Sequence, residues 1–195
     1  MEESSDSPES VLELAQACEH YVARALGFQL DYSIETLPVL DQYVADVRAS
    51  VAERPDLMHL LSHAVAAYFG EVMCRTLGGF WRLPSPNVVD WQVCLTPVFV
   101  WLNPIGVACD ALAGNADHDG PSSQIRVSPE DREFVRARLA RLAEVDEEQY
   151  SRLSTRMEVL QIVVEELAHR MEERGYGGTT FDVSDYEAEQ LPPVH

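Results

Sequence analysis

Lysine is absent from the chain: all 14 basic residues are arginine, against 33 acidic ones, and the net charge over 195 residues is −19. So small a positive footprint argues against binding to nucleic acid phosphates or an anionic membrane, which are recognised through clustered cations. Cysteine is equally sparse. Cys18, Cys74, Cys94 and Cys109 form no C-x-x-C pair, and three lie in apolar runs where a thiol packs as a small hydrophobe, so reduced, buried cysteines are expected. No run of about 18 apolar residues stands out to span a bilayer, and the N-terminal MEESSDSPES is acidic where a secretory signal would be basic and then apolar. The bacterial cytosol is the expected compartment. A G-x-S-x-G elbow, a P-loop and a dinucleotide fingerprint are also missing, so hydrolase, nucleotide and nicotinamide chemistry have no local support. No cofactor is expected, and the expectation is a non-catalytic protein.

What is present is a chain long enough for one sizeable core, with 46% hydrophobic residues. Its centre is the stretch Asp56 to Trp81. Asp56 suits an N-cap, and Gly78-Gly79 supplies a stop just past Leu77. At 100° per residue, Leu57, Leu61, Ala64, Val65, Tyr68 and Val72 share one face. The other face carries His59, His63, Ala66, Ala67, Gly70 and Cys74, small and weakly polar residues that let a second backbone approach. The spacing therefore predicts a helix covered on two sides. Glu71 and Arg75, four apart in the favourable order, are expected to form a partly buried structural ion pair.

The run Ala67-Tyr68-Phe69-Gly70-Glu71-Val72, followed by Arg75, Leu77, Gly78, Gly79 and Trp81, resembles the signature A-Y-x-G-E-V-x-x-R-x-L-G-G-x-W of a family of small, uncharacterised bacterial domains. The segments Leu30 to Asp41 and Val100 to Gly114 are similar to its flanking regions, so the resemblance covers about residues 28 to 115. Basic residues often follow the family's Pro-Gly turn; here Cys109 and Asp110 follow Asn103-Pro104-Ile105-Gly106. The resemblance implies a fold and names no activity.

Around this centre the pattern predicts an α+β domain, predominantly helical, with about five to six helices and a small antiparallel sheet of about three strands. Residues 1–8 read as a disordered N-terminus, 9–174 as a single globular domain with a flexible loop at 114–127, and 175–195 as an acidic tail with an edge strand at Phe181 to Val183. Helices are expected from Pro8 to about Leu26, from Ser33 to about Val51, and over Pro104 to Leu112. FQLDY, residues 28–32, reads as a short strand or an extended lead-in. Strands are expected at Phe80 to Leu83, Val88 to Leu95 and Val98 to Leu102. Ser128-Pro129 starts an arginine-bearing helix, and Asp146 starts one long helix to about Arg174. On that helix Tyr150, Leu153, Met157, Leu160, Val164, Leu167 and Met171 form a seam that serves either packing within the monomer or a homodimer.

Three constellations are candidates for chemistry. Trp81, Trp91 and Trp101 recur every ten residues, one per expected strand, and form a candidate ligand slot if they share a sheet face. His59 and His63, one turn apart, and the E-x-x-H pair Glu166 and His169 are candidate metal ligands, although neither motif is complete and no metal is expected. Asp117, His118 and Asp119 lie in a turn-rich loop and lack the pattern of a calcium site. The resulting expectation is a cytosolic protein–protein interaction module, a regulator, adaptor or toxin-neutralising protein, that meets a basic partner through its acidic surface. The alternative is a ligand-binding or metal-dependent enzyme built on the tryptophans and the His/Glu residues.

Overall fold

Pro8 opens α1 (Glu9–Leu26), which buries Val11, Ala15, Cys18 and Val22 at intervals of three and four and closes on Gly27, whose φ of 67° lets its N–H reach Ala23 O. This computed structural model describes residues 7–115, 120–142 and 146–189. The expected disorder of the first residues and the Asp117, His118 and Asp119 cluster lie largely or wholly outside the described residues.

Residues 28–32 form no strand; a 3₁₀ turn (Ile34–Thr36) leads instead into α2 (Leu37–Glu53), with Pro38 in its first turn where no donor is lost. Then α3 (Pro55–Met73) runs through the centre, and from Leu61 to Met73 every residue except His63 is buried. It lies between α1 and α4 (Pro104–Ala113). Residues Pro55–Gly78 are, by length and composition, apolar enough to cross a membrane, with a window of mean hydropathy 1.2, contrary to the expectation that no such run exists. In this fold 67% of that window is buried inside the protein.

The start of α3 differs from expectation, while the helical run stops at the expected glycine, Gly78. The helix starts at Pro55, and Asp56 takes a hydrogen bond from Arg54 (Nη2–Oδ2 2.7 Å) instead of capping. At the other end the α-helix gives way at Met73 to a π turn, Cys74–Gly78, which widens the coil before Gly78 (φ 74°) reverses the chain.

The sheet has four antiparallel strands in the order β1 (Gly79–Arg82), β2 (Gln92–Leu95), β3 (Val100–Leu102) and β4 (Arg126–Val127). Its fourth strand falls within the loop expected to be flexible, and residues 88–90 form a 3₁₀ turn where strand was expected. The remaining helices are α5 (Arg132–Leu139), α6 (Glu147–Tyr150), α7 (Leu153–Glu173) and α8 (Val183–Glu189). The fold is thus α+β and mostly helical with one small antiparallel sheet, and it has eight helices and four strands among the described residues.

Two tertiary contacts account for the departures near the C-terminus. The helix expected from Asp146 is broken at Ser151-Arg152 because Asp41, on α2, caps a new start: its Oδ1 accepts from Leu153 N–H (2.7 Å) and its Oδ2 from Ser154 N–H (3.2 Å) and Ser154 Oγ (2.5 Å). Burial pushes the Asp41 pKa up more than these hydrogen bonds lower it. The expected edge strand at Phe181 to Val183 reduces to one backbone bond, Phe181 N–H to Thr96 O (2.8 Å), before α8 begins. Tyr186 on α8 is 1% exposed and plugs the β2–β3 connection, its hydroxyl 2.6 Å from Leu95 O and 3.1 Å from Val100 N, with its ring stacked on Phe99.

Candidate functional site

The signature residues interlock where α3, the π turn and β1 meet. Glu71 is 2% exposed, and both of its oxygens have donors: Trp81 Nε1 at 2.9 Å from Oε1 and Arg75 Nη2 at 3.3 Å from Oε2. Gly70 is needed one residue earlier because a Cβ there would run into the Trp81 ring. Arg75 remains half-exposed, with its guanidinium 3.8 Å from the centre of the Tyr32 ring, and Tyr32 in turn stacks on Tyr68.

Tyr32 has φ 63°, the one positive value at a non-glycine among the described residues. Such a conformation costs on the order of 1–3 kcal/mol. It is held by the Tyr32 N–H bond to Tyr68 Oη (2.8 Å) and by Asp31, whose Oδ1 accepts from Ser33 N–H (3.0 Å), Ser33 Oγ (2.6 Å) and Thr36 Oγ1 (3.1 Å). Those bonds, the Ser33 hydroxyl first, lower the Asp31 pKa. Burial raises the pKa of both Tyr32 and Cys74, so neither is an activated nucleophile at neutral pH. Chemically the cluster is a tie: a buried carboxylate joins two donors, one on each of its oxygens.

The three tryptophans do not share a face. Trp81 pairs with Val93 and Trp101 with Cys94, adjacent residues of β2, so the pleat turns Trp81 and Trp101 to opposite sides. Trp91 precedes β2 and donates from Nε1 to Ser85 O (3.2 Å), touching Trp81 edge to face at 6.3 Å. A period of ten is even, but the 3₁₀ turn and the Thr96–Phe99 connection between strands reset the alternation on which a shared face depended. The candidate slot is therefore divided between the core and the far face of the sheet.

The candidate metal ligands lie in separate pairs. His59 and His63 lie with ring centroids 4.1 Å apart and planes tilted by 49°, and burial followed by the neighbouring His59 lowers the His63 pKa. Glu166 Oε1 is 2.5 Å from Arg138 Nη2, and His169 Nε2 is 3.4 Å from Glu173 Oε1. Among the described residues no group of three or more His, Cys, Asp or Glu side chains converges on one point.

Other features carry more of the geometry than these candidates. Asp110 on α4 and Arg156 on α7 form a buried pair at 3.9 Å, with Arg156 Nη2 donating to Ser123 O and its guanidinium 4.7 Å from the Tyr150 ring centre. The available signal was a charge at an apolar position: Arg156 falls on the same helical face as Leu153, Met157 and Leu160, and Asp110 interrupts PIGVACDALA. A cleft of about 710 Å³ opens between α7, the β2–β3 connection and the segment before α8, with Val98, Phe99, Leu167, Met171 and Phe181 as its apolar lining. At its polar end Asp131 accepts from Ser128 Oγ (2.9 Å) and faces Arg170 Nε (3.1 Å) and Arg174 Nη1 (3.7 Å). On the outer line of α7, Glu158, Glu165 and Glu172 stand seven residues apart, all exposed and none in an ion pair among the described residues. Compared with known proteins, the chain matches no family model, no curated protein and no solved structure.

Proposed function

We propose that this protein is a non-catalytic interaction module of the cytosol that presents an acidic face to a basic protein partner, as a regulator, adaptor or toxin-neutralising protein. The observation that carries the reading is the unpaired acidic line of α7. Buried carboxylates of this fold, Glu71 and Asp110, have cationic partners, whereas Glu158, Glu165 and Glu172 stand in solvent with no ion-pair partner among the described residues. Three exposed acids along one line of a helix form a surface that a basic partner complements, and complementary charge speeds encounter and fixes register. Kinship with the bacterial domains that share the signature belongs to the same proposal; its support is that the signature residues form one interlocked cluster.

The test is capture from host lysate at low salt, with stepwise salt elution and cross-linking of the captured protein. The reading expects a basic protein, released by salt and cross-linked near α7. Capture that is indifferent to salt, or cross-links confined to other faces, would contradict it. A second reading, a ligand-binding domain, has one observation in its favour, the cleft of about 710 Å³, a size suited to a small molecule with an apolar body. Retention of an apolar ligand through purification, lost on Phe99→Ala, would move the weight there.

A further inference from the structure

One surface has the reverse electrostatics of the rest. A groove of about 510 Å³ runs along β4 and α5, lined by Trp101, Ile125, Val127, Val135 and Leu139 and rimmed by Arg126, Arg132 and Arg136, with Gln124 at one end and no carboxylate in the lining. In a chain with 33 acidic and 14 basic residues three arginines around an acid-free groove go against the composition. Neither Arg126 nor Arg132 forms an ion pair among the described residues; Arg136 pairs with Glu133 (2.6 Å), and both of those side chains are largely exposed, so the pair is weak and easily exchanged. Arg126 lies over Trp101, with its guanidinium carbon 5.9 Å from the ring centre.

The backbone adds a second feature. β4 is the last strand of the sheet, paired to β3 on one side, and among the described residues it makes no backbone hydrogen bond on the other. The edge is two residues long, so an added segment gains one residue's N–H and C=O there and takes the rest of its affinity and its specificity from side chains. By the sheet register a strand laid there would turn alternate side chains toward Trp101 and Arg126 and the others toward Ile125 and Val127, with Arg132 and Arg136 lining the same groove.

From these two features we propose that the groove binds an extended acidic peptide segment of a partner protein by strand addition to β4, with its carboxylates on the face of Arg126 and Trp101 and its apolar side chains toward Ile125 and Val127. The net charge of −19 does not forbid this, because at physiological ionic strength charges beyond about 8 Å are largely screened, and the carboxylate paired to the rim, Glu133 on Arg136, is exposed and easily exchanged. The apolar lining beside the arginines favours a peptide, which brings apolar and acidic side chains together, over a small carboxylate.

The test uses the full-length, ¹⁵N-labelled protein and a capped heptapeptide that alternates glutamate with valine or tyrosine, followed by NMR. The Trp101 indole N–H is assigned with Trp101→Phe. The proposal expects saturable shifts at that indole and at the amides of residues 125–128, with affinity about 10-fold weaker for the Arg126→Gln/Arg132→Gln double variant and clearly weaker for a peptide of the same composition in block order. Spectra of the free double variant check that it is folded. No shift at millimolar peptide, equal binding of a lysine-for-glutamate peptide, or affinity untouched by the arginine substitutions would overturn it. Equal binding of the block peptide would also overturn strand addition and indicate a site for carboxylates alone. A concentration-dependent dimer abolished by the double variant would overturn it in favour of a second copy of the chain.

Discussion

Two carboxylates are buried to almost the same degree, the Glu71 side chain 3% exposed and that of Asp110 4%, and each faces an arginine, yet they are held in different ways. Glu71 takes its donors from its own helix and the next strand: Trp81 contributes a neutral N–H, and Arg75 stays half in water. Asp110 faces Arg156 from a distant helix, and that arginine is itself buried, with a side chain 6% exposed. The first cation can be rehydrated if the contact is lost. The second cannot, so losing the cation at the α4–α7 junction leaves a charge in a buried place, whereas at the α3–β1 junction Trp81 still donates to Glu71.

This contrast sets the order of expected effects. Arg156→Ala should be the most damaging, at about 3–5 kcal/mol of unfolding free energy, because it leaves Asp110 as a buried charge without its cation. Denaturant melts measure it, and adding Asp110→Asn should recover part of the loss. Arg75→Ala should cost about 1–2 kcal/mol, since Glu71 keeps the Trp81 N–H and Arg75 already meets solvent. Losses of equal size at the two sites would erase the distinction.

A third carboxylate sharpens the comparison through pH. Burial raises the Asp41 pKa above its ordinary value of 3.8, so between 3.8 and the raised value the folded state holds more protons at this site than the unfolded state. Its contribution to stability therefore grows as pH falls through that window and declines as pH rises out of it. Measured as a difference, wild type should gain on Asp41→Asn as pH is lowered toward 3.8; a difference constant with pH would contradict the buried cap. The smallest effect is expected at the exposed Arg136–Glu133 pair, where Arg136→Ala should change stability by less than about 0.5 kcal/mol.

The same contrast shows what was legible in the sequence. Spacing along one helix carried α1, the two-sided cover of α3 and most of the α7 seam, because three- and four-residue periodicity is local. Glu71 and Arg75 could be paired by counting, being four apart. Asp110 and Arg156 could not, since no local rule joins residues of different helices, though each stood out as a charge among apolar neighbours. The break before Leu153 depends on Asp41 reaching across from α2, and the fate of the tail depends on Tyr186 meeting carbonyls of the β2–β3 connection. The tryptophan spacing misled because regular intervals define a face only along an uninterrupted strand, and irregular segments separate these three. The short β4 and its groove had no periodic signal at all; their one trace was the arginine-bearing helix that follows Ser128-Pro129.

The central claim is that buried charges in this protein hold the fold and that the unpaired acids of α7 serve a partner. It is tested most directly by one triple variant, Glu158→Gln/Glu165→Gln/Glu172→Gln, compared with wild type in both thermal melting and partner capture at low salt. The account predicts an unchanged melting temperature, since these exposed acids stand about 10 Å apart and are screened from one another, together with loss of capture. A lower melting temperature with capture intact would contradict it.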